Sequence, residues 1–148
     1  MELALALPFL LLMVAGIIDI GMLFWEKEVL TNASREGARA AARATINGRP
    51  EQTTKAGVMA RVQTYINNYN LRDASGAAIN LVLGANFFYE FNFANNPPIL
   101  SVELRDIPVN MMLLPNISKL FGGTISNTMN LTTKTTMAPQ WLSSYPPT

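Results

Sequence analysis

The sequence predicts an α+β protein: a long N-terminal apolar helical rod, followed by a small globular domain with a second helix and an antiparallel sheet of about four strands. Three observations carry this reading. Residues 3–18 hold no charge, and Asp19 is the only ionisable residue between Glu2 and Glu26. Residues 26–45 are rich in Ala, Glu and Arg and contain no Pro. From residue 79 onward apolar and polar side chains alternate with period two, the signature of half-buried strands.

The rod comes first. As a helix, residues 3–25 would be about 34 Å long at about 1.5 Å per residue, enough to cross a bilayer core of about 30 Å. A cleaved secretory signal would show a basic start, a shorter apolar core and a small-residue cleavage site. Here no Lys or Arg precedes Lys27, and the helical pattern runs on past Glu26, so the segment is expected to be retained. Ala, Glu and Arg favour helix, which carries the rod to about residue 45. Asn47-Gly48 then supplies a left-handed cap and Pro50 cannot continue the ladder. The chain therefore divides into an N-terminal helix, residues 1–46, and a globular α+β domain, residues 47–148. Pro8 removes one backbone hydrogen bond and disfavours helical geometry at Leu7, so a bend or an unwound segment is expected there. Gly16 and Gly21 permit close approach in the same stretch.

In the second half of the rod, Ala33, Gly37, Ala41 and Thr45 recur every four residues, with Ala38 and Ala42 beside them. Such a seam of small residues suits close helix packing, either on the protein's own sheet or on another subunit. Arg35, Arg39 and Arg43 share one side, the pattern of a solvated face.

A second helix is expected over residues 51–68, because Val58, Met59, Val62, Tyr65 and Ile66 fall at three- and four-residue spacing. Asn67, Asn68, Asn70, Asp73, Ser75 and Gly76 follow as a loop. These are turn-forming residues; the order of an EF-hand is absent, so no metal site is assigned. Strands are expected at residues 79–83, 87–93 and 100–105, with Asn95, Asn96, Pro97 and Pro98 turning between the last two. A fourth, Thr-rich strand over residues 125–137 places Met129, Leu131, Thr133, Thr135 and Met137 on one face and Thr128, Lys134 and Thr136 on the other. Antiparallel order suits strands so close in sequence. Before the last strand, Met111 to Leu114, Ile117, Leu120 and Phe121 form an apolar patch, read either as core under the sheet or as a contact with a neighbouring subunit. Trp141 and Tyr145 stand among prolines in a tail suited to an extended arm.

Composition narrows the function. With 11 Lys+Arg against 10 Asp+Glu there is no electrostatic footprint for nucleic acid. With no Cys and no His, thiol nucleophiles, thiolate metal sites and the commonest general base are all missing. No phosphate-binding Gly loop or nucleophile motif is present either, so no catalytic, cofactor or metal residues are assigned and an enzyme is not expected.

The run ELALALPFLLLMVAGIIDIG followed by LTNASREGARAAA resembles the N-terminal signature of TadE-like pilins, the pseudopilins of tight-adherence (Flp-type) pilus systems. An apolar strand, then LLPNISKLFGGTI, then a Thr-rich strand ending in Met resembles that family's C-terminal pattern. The most specific parts are Glu2 with Ala4-Leu5, Pro8, Gly16-Ile17-Ile18-Asp19, Gly21 and Arg35-Glu36-Gly37-Ala38-Arg39; residues 50–96 match only in character. The resemblance implies a precursor whose short basic leader is removed by a prepilin peptidase, leaving Glu at the fifth position. Here Met1 alone precedes Glu2. Either the first mature residues lie ahead of this numbering, which is the expectation, or Met1 is the start and no processing site exists. The resemblance further implies storage in the cytoplasmic membrane, delivery to pilus assembly machinery and a homopolymeric extracellular filament built through the N-terminal helices.

Glu2, Pro8 and Asp19 are the assembly residues on this reading. The resemblance gives Glu2 a pairing with the terminal amine of an adjacent subunit, which sets axial register more than it adds stability; the alternative leaves Glu2 at headgroup level. Asp19 lies about 25 Å along the rod from Glu2, and a buried carboxylate needs a partner or a proton. Lys27, Arg35 and Arg39 of another copy are the candidate cations; the alternative leaves Asp19 wet at the outer edge of the bilayer. A minor pseudopilin at the tip or base of a pilus, and a bitopic membrane protein with a small extracytoplasmic binding domain, are the competing functions.

Overall fold

The computed structural model describes residues 2–43, 51–73, 75–92, 94–95 and 98–139, with side chains from Ala6 in the first helix and from Lys55 in the second. Its elements are α1 (Glu2–Arg43), α2 (Glu51–Asn68), β1 (Phe87–Asn92), β2 (Ile99–Asn110), α3 (Leu113–Leu120) and β3 (Thr128–Met137). The helix cap at residues 47–48, the turn residues Asn96 and Pro97, and the tail with Trp141 and Tyr145 lie outside the described residues.

α1 is one helix of 42 residues, about 63 Å long at about 1.5 Å per residue. It continues through Pro8 without interruption, so the unwound segment considered there is not formed. Pro8 removes a single N–H near the start of a long helix, and the ladder closes again on either side of it. α2 buries Val58, Val62 and Ile66 at the expected spacing, and its end is turned by Asn70 in the left-handed region (φ 53°), where Asn is tolerated.

The sheet has three strands in the order β1-β2-β3, antiparallel throughout, where about four were expected. The missing one is residues 79–83. Its alternation is real, with Ile79 and Leu81 buried, but its backbone is bonded by side chains. Gln63 Nε2 donates to the Ile79 carbonyl at 2.8 Å, the Leu81 N–H donates to Gln63 Oε1 at 2.7 Å, and the Val82 N–H donates to Asn86 Oδ1 at 2.7 Å. One glutamine of α2 thus satisfies the groups that a neighbouring strand would otherwise pair.

The helices cover one face of the sheet. Phe87 and Tyr89 of β1, Leu100, Val102, Leu104, Ile107 and Val109 of β2 and Leu131 of β3 meet Val29, Leu30, Ala33, Ala38 and Ala41 of α1 with Val58, Val62 and Ile66 of α2. A bulge between Leu104 and Ile107 keeps this face apolar on both sides of it: Arg105 and Asp106 (φ 52°) oppose one residue of β3, and parity resumes with Ile107 inward. The Thr-rich strand is explained by α1. Ser34 Oγ lies 2.6 Å from Thr135 Oγ1, and Thr133 Oγ1 donates to Thr31 Oγ1 at 3.4 Å, so inward hydroxyls of β3 find hydroxyl partners on the helix.

Candidate functional site

The rod has two surroundings. From Val29 onward it is packed into the domain: Ala33 and Ala41 are buried, and a Cβ built on Gly37 would collide with Val62 Cγ2 and lie 3.5 Å from Val58 Cγ1. The structure therefore gives the seam of Ala33, Gly37 and Ala41 to the chain's own α2 and β2. In the first half the side chains of Leu7, Phe9, Leu10, Leu11, Met13 and Val14 are exposed, as are Ile17, Ile18, Ile20, Phe24 and Trp25 farther along. Large apolar side chains in such a row call for a non-aqueous partner.

Within the exposed half, where α3 meets the rod, stands Asp19. It is 2% exposed, and its carboxylate accepts hydrogen bonds from three successive backbone amides at the start of α3. The Met112 N–H donates at 3.3 Å, Leu113 at 3.0 and 3.1 Å to the two oxygens, and Leu114 at 2.6 Å. α3 has no cap of its own: Met112 occupies the N-cap position without a side-chain bond, and no acidic residue lies in the first turn. Asp19 does from a different helix what a local Asp or Ser usually does. Pro115 falls in the first turn of α3, where its missing N–H is no loss. Gly16 lies against the same contact, where a Cβ would stand 3.6 Å from Leu114 Cδ1, an ordinary packing distance. The need for a partner that the sequence raises for Asp19 is thus met within one chain.

The remaining sequence-derived residues are not gathered at this point. Glu2 is in α1, but its side chain lies outside the described residues. Pro8 is half-buried on the free part of the rod. Lys27 is exposed beside an apolar groove lined by Ile20, Leu23, Phe24, Met129 and Leu131. Arg35 Nη1 donates to Asn32 Oδ1 at 3.4 Å, while Arg39 and Arg61 both approach Glu36, at 3.6 and 3.5 Å. The loop after α2 is held by turn chemistry: the Asp73 carboxylate accepts from the Ser75 N–H, the Ser75 hydroxyl and the Ala77 N–H.

Sequence reasoning missed α3, which it treated only as an apolar patch. A helical signal was present in Leu113, Leu114, Ile117, Leu120 and Phe121, which recur at helical spacing. It also passed over Glu26, a buried carboxylate whose Oε2 has no hydrogen-bond partner among the described residues.

The segment from Met1 to Arg39, which carries the exposed apolar row, Asp19, Glu26 and Gly37, is matched by a family model described as TadE-like protein. Over residues 1–39 the chain is similar to TadE-like proteins. Residues 40–148, with α2, the sheet and α3, lie beyond the matched segment. No curated protein and no solved structure matches the chain. The matched segment lies in the one helix among the described residues long and apolar enough to cross a membrane.

Proposed function

We propose that this TadE-like chain is a structural pilin-like subunit, stored in the cytoplasmic membrane by residues 3–25 and assembled through α1 into an extracellular pilus filament. One observation carries the proposal: the first half of α1 projects large apolar side chains that its own domain does not cover. Such a rod leaves lipid only if other apolar surfaces replace the lipid, and a bundle of identical rods provides them. The contact between copies is head-to-tail and does not close, so its repetition yields a filament coated by the α+β domains.

Within this scheme Glu2 pairs with the terminal amine of a neighbour and fixes axial register. Pro8 lets the rod adapt between bilayer and bundle. Asp19 keeps α3 on the rod, and Lys27, Arg35 and Arg39 are exposed cations for contacts between subunits. The prepilin peptidase and the assembly machinery are the partners of the precursor.

The test is the composition of filaments sheared from the cell surface. A single protein species of this chain's mass is expected. Glu2→Ala should leave the protein in the membrane and remove it from the filaments; normal filaments from that variant would refute the pairing. A filament dominated by another protein would make this chain a minor subunit. A monomer in detergent at all concentrations, with no filaments, would make it a bitopic protein with a small binding domain.

A further inference from the structure

Assembly through α1 does not account for the apolar surface of α3 and the turn after it. Met112, Phe121 and Ile125 are exposed and Leu120 is 78% exposed, while Lys119 is the one charge on the helix. The position of this surface along the rod is set by contacts already described, Asp19 to the amides of Met112, Leu113 and Leu114, and Gly16 against Leu114.

That position falls inside the length of rod a membrane needs. The charge-free residues 3–18 make about 24 Å of helix, short of a bilayer core of about 30 Å. With residues 3–25 as the stored segment, as proposed above, the bilayer takes in the charge-free run and reaches past Asp19. α3 must go with it for as long as the three amides stay bound. The two elements suit one another in such a place. Water is scarce there, so an open helix N-terminus and an unpaired carboxylate are both costly, and each is the partner of the other. A short helix with apolar residues outward and a single Lys near its end has the chemistry of an interfacial helix, the Lys reaching up to the headgroups.

We propose that in the membrane-stored form α3 lies in the outer leaflet at the boundary of headgroups and acyl chains, with Met112, Leu120, Phe121 and Ile125 against lipid. The chain then holds the bilayer by a spanning rod and by a second, interfacial helix latched to the rod through Asp19. Extraction into a filament uncovers both surfaces at once. This rests on the reading that the chain is stored in a membrane before assembly.

The absence of Cys makes the test direct. The full chain is reconstituted in vesicles of phosphatidylethanolamine and phosphatidylglycerol with an environment-sensitive fluorophore at Leu120→Cys. Leu10→Cys on the free rod and Thr64→Cys on the exposed side of α2 serve as the two references. Emission from Leu120→Cys is expected to shift to the blue of Thr64→Cys, to be quenched by lipids brominated near the headgroup end of the acyl chain, and to stay so at every lipid-to-protein ratio. Water-like emission at Leu120→Cys with lipid-like emission at Leu10→Cys would overturn this inference and leave the membrane reading intact. Water-like emission at both would overturn the two together. A blue shift that vanishes on dilution into lipid would mean that a second copy covers α3, and would also overturn it.

Discussion

The two halves of α1 are one unbroken helix in two different solvents, and the side chains on each half differ accordingly. Leu10 in the first half is 62% exposed, and Leu30 in the second is fully buried. The second half is built from Ala33, Gly37, Ala38, Ala41 and Ala42 because α2 and β2 close on it from two sides, and only small residues let backbones approach so nearly. The first half carries Phe9, Leu10, Leu11 and Met13, bulk exposed on several sides of the helix, whereas the second half buries its large residues Val29 and Leu30 in the domain core. Both halves are apolar, and the run of small residues from Ala33 to Ala42 marks the part on which the domain closes.

The sharpest way to break this comparison is to make the same substitution in both halves. Leu30→Ala removes a fully buried side chain from the domain core and should cost about 2–5 kcal/mol. Its readout is thermal or denaturant unfolding of the full chain in detergent micelles. Leu10→Ala should change that stability by no more than about 0.5 kcal/mol, as expected at a surface position. Its effect should instead be reduced recovery of the protein in sheared filaments. Equal destabilisation by the two changes would show that the first half is part of the folded core.

A smaller effect is expected where α3 meets the rod. Asp19→Ala leaves the Met112, Leu113 and Leu114 amides without their acceptor, at a cost of about 1–3 kcal/mol. The loss should be local. Amide exchange should accelerate at residues 112–114 while β2 and α2 keep their protection, and uniform acceleration would mean that Asp19 supports the whole domain.

That junction also marks the limit of what the sequence makes legible. α1 and α2 are readable because their signals are local: an uncharged run, Ala-rich continuation, and Val58, Val62 and Ile66 at helical spacing. β1, β2 and β3 announce themselves by alternation. Residues 79–83 alternate just as clearly, yet form no strand, because Gln63 bonds their backbone from another helix and nothing within the segment signals it. α3 is hidden for a related reason. Its cap lies more than ninety residues earlier in the chain, as Asp19, and the Met112 at its own N-cap position gives no start signal. The carboxylate could be recognised as needing a partner, but the sequence offers a cation on another copy or water at the outer edge of the bilayer, and nothing in it points to amides within the chain. In each case the missed information is a side chain reaching backbone from a distant element.

The smallest expected effect sets the carboxylate of the apolar junction beside one on the wet domain surface. Asp73 also accepts backbone amides, those of Ser75 and Ala77, each at 2.9 Å, and in addition the Ser75 hydroxyl at 2.6 Å. The Ser75 hydroxyl first, and then the backbone amides of the turn, hold the Asp73 carboxyl below the usual carboxylate range. A carboxyl whose folded-state value is depressed contributes order that is fully present above the unfolded value, about 3.9 for Asp, and is lost as pH falls through the folded one. Amide protection of Ser75 and Ala77 should therefore stay level from pH 8 to about pH 5 and decline only below about pH 4, the range in which a free Asp gains its proton. Asp73→Asn should weaken the same two amides at neutral pH without altering the unfolding temperature, because the loop is exposed and solvent takes over the lost bonds. Protection that declines already near neutrality would show that the turn is not held by the Asp73 anion. Since Asp19 presents the same acceptor to the same kind of donor, a small effect at Asp73 beside a large one at Asp19 would measure what removal from water adds to an otherwise equivalent cap.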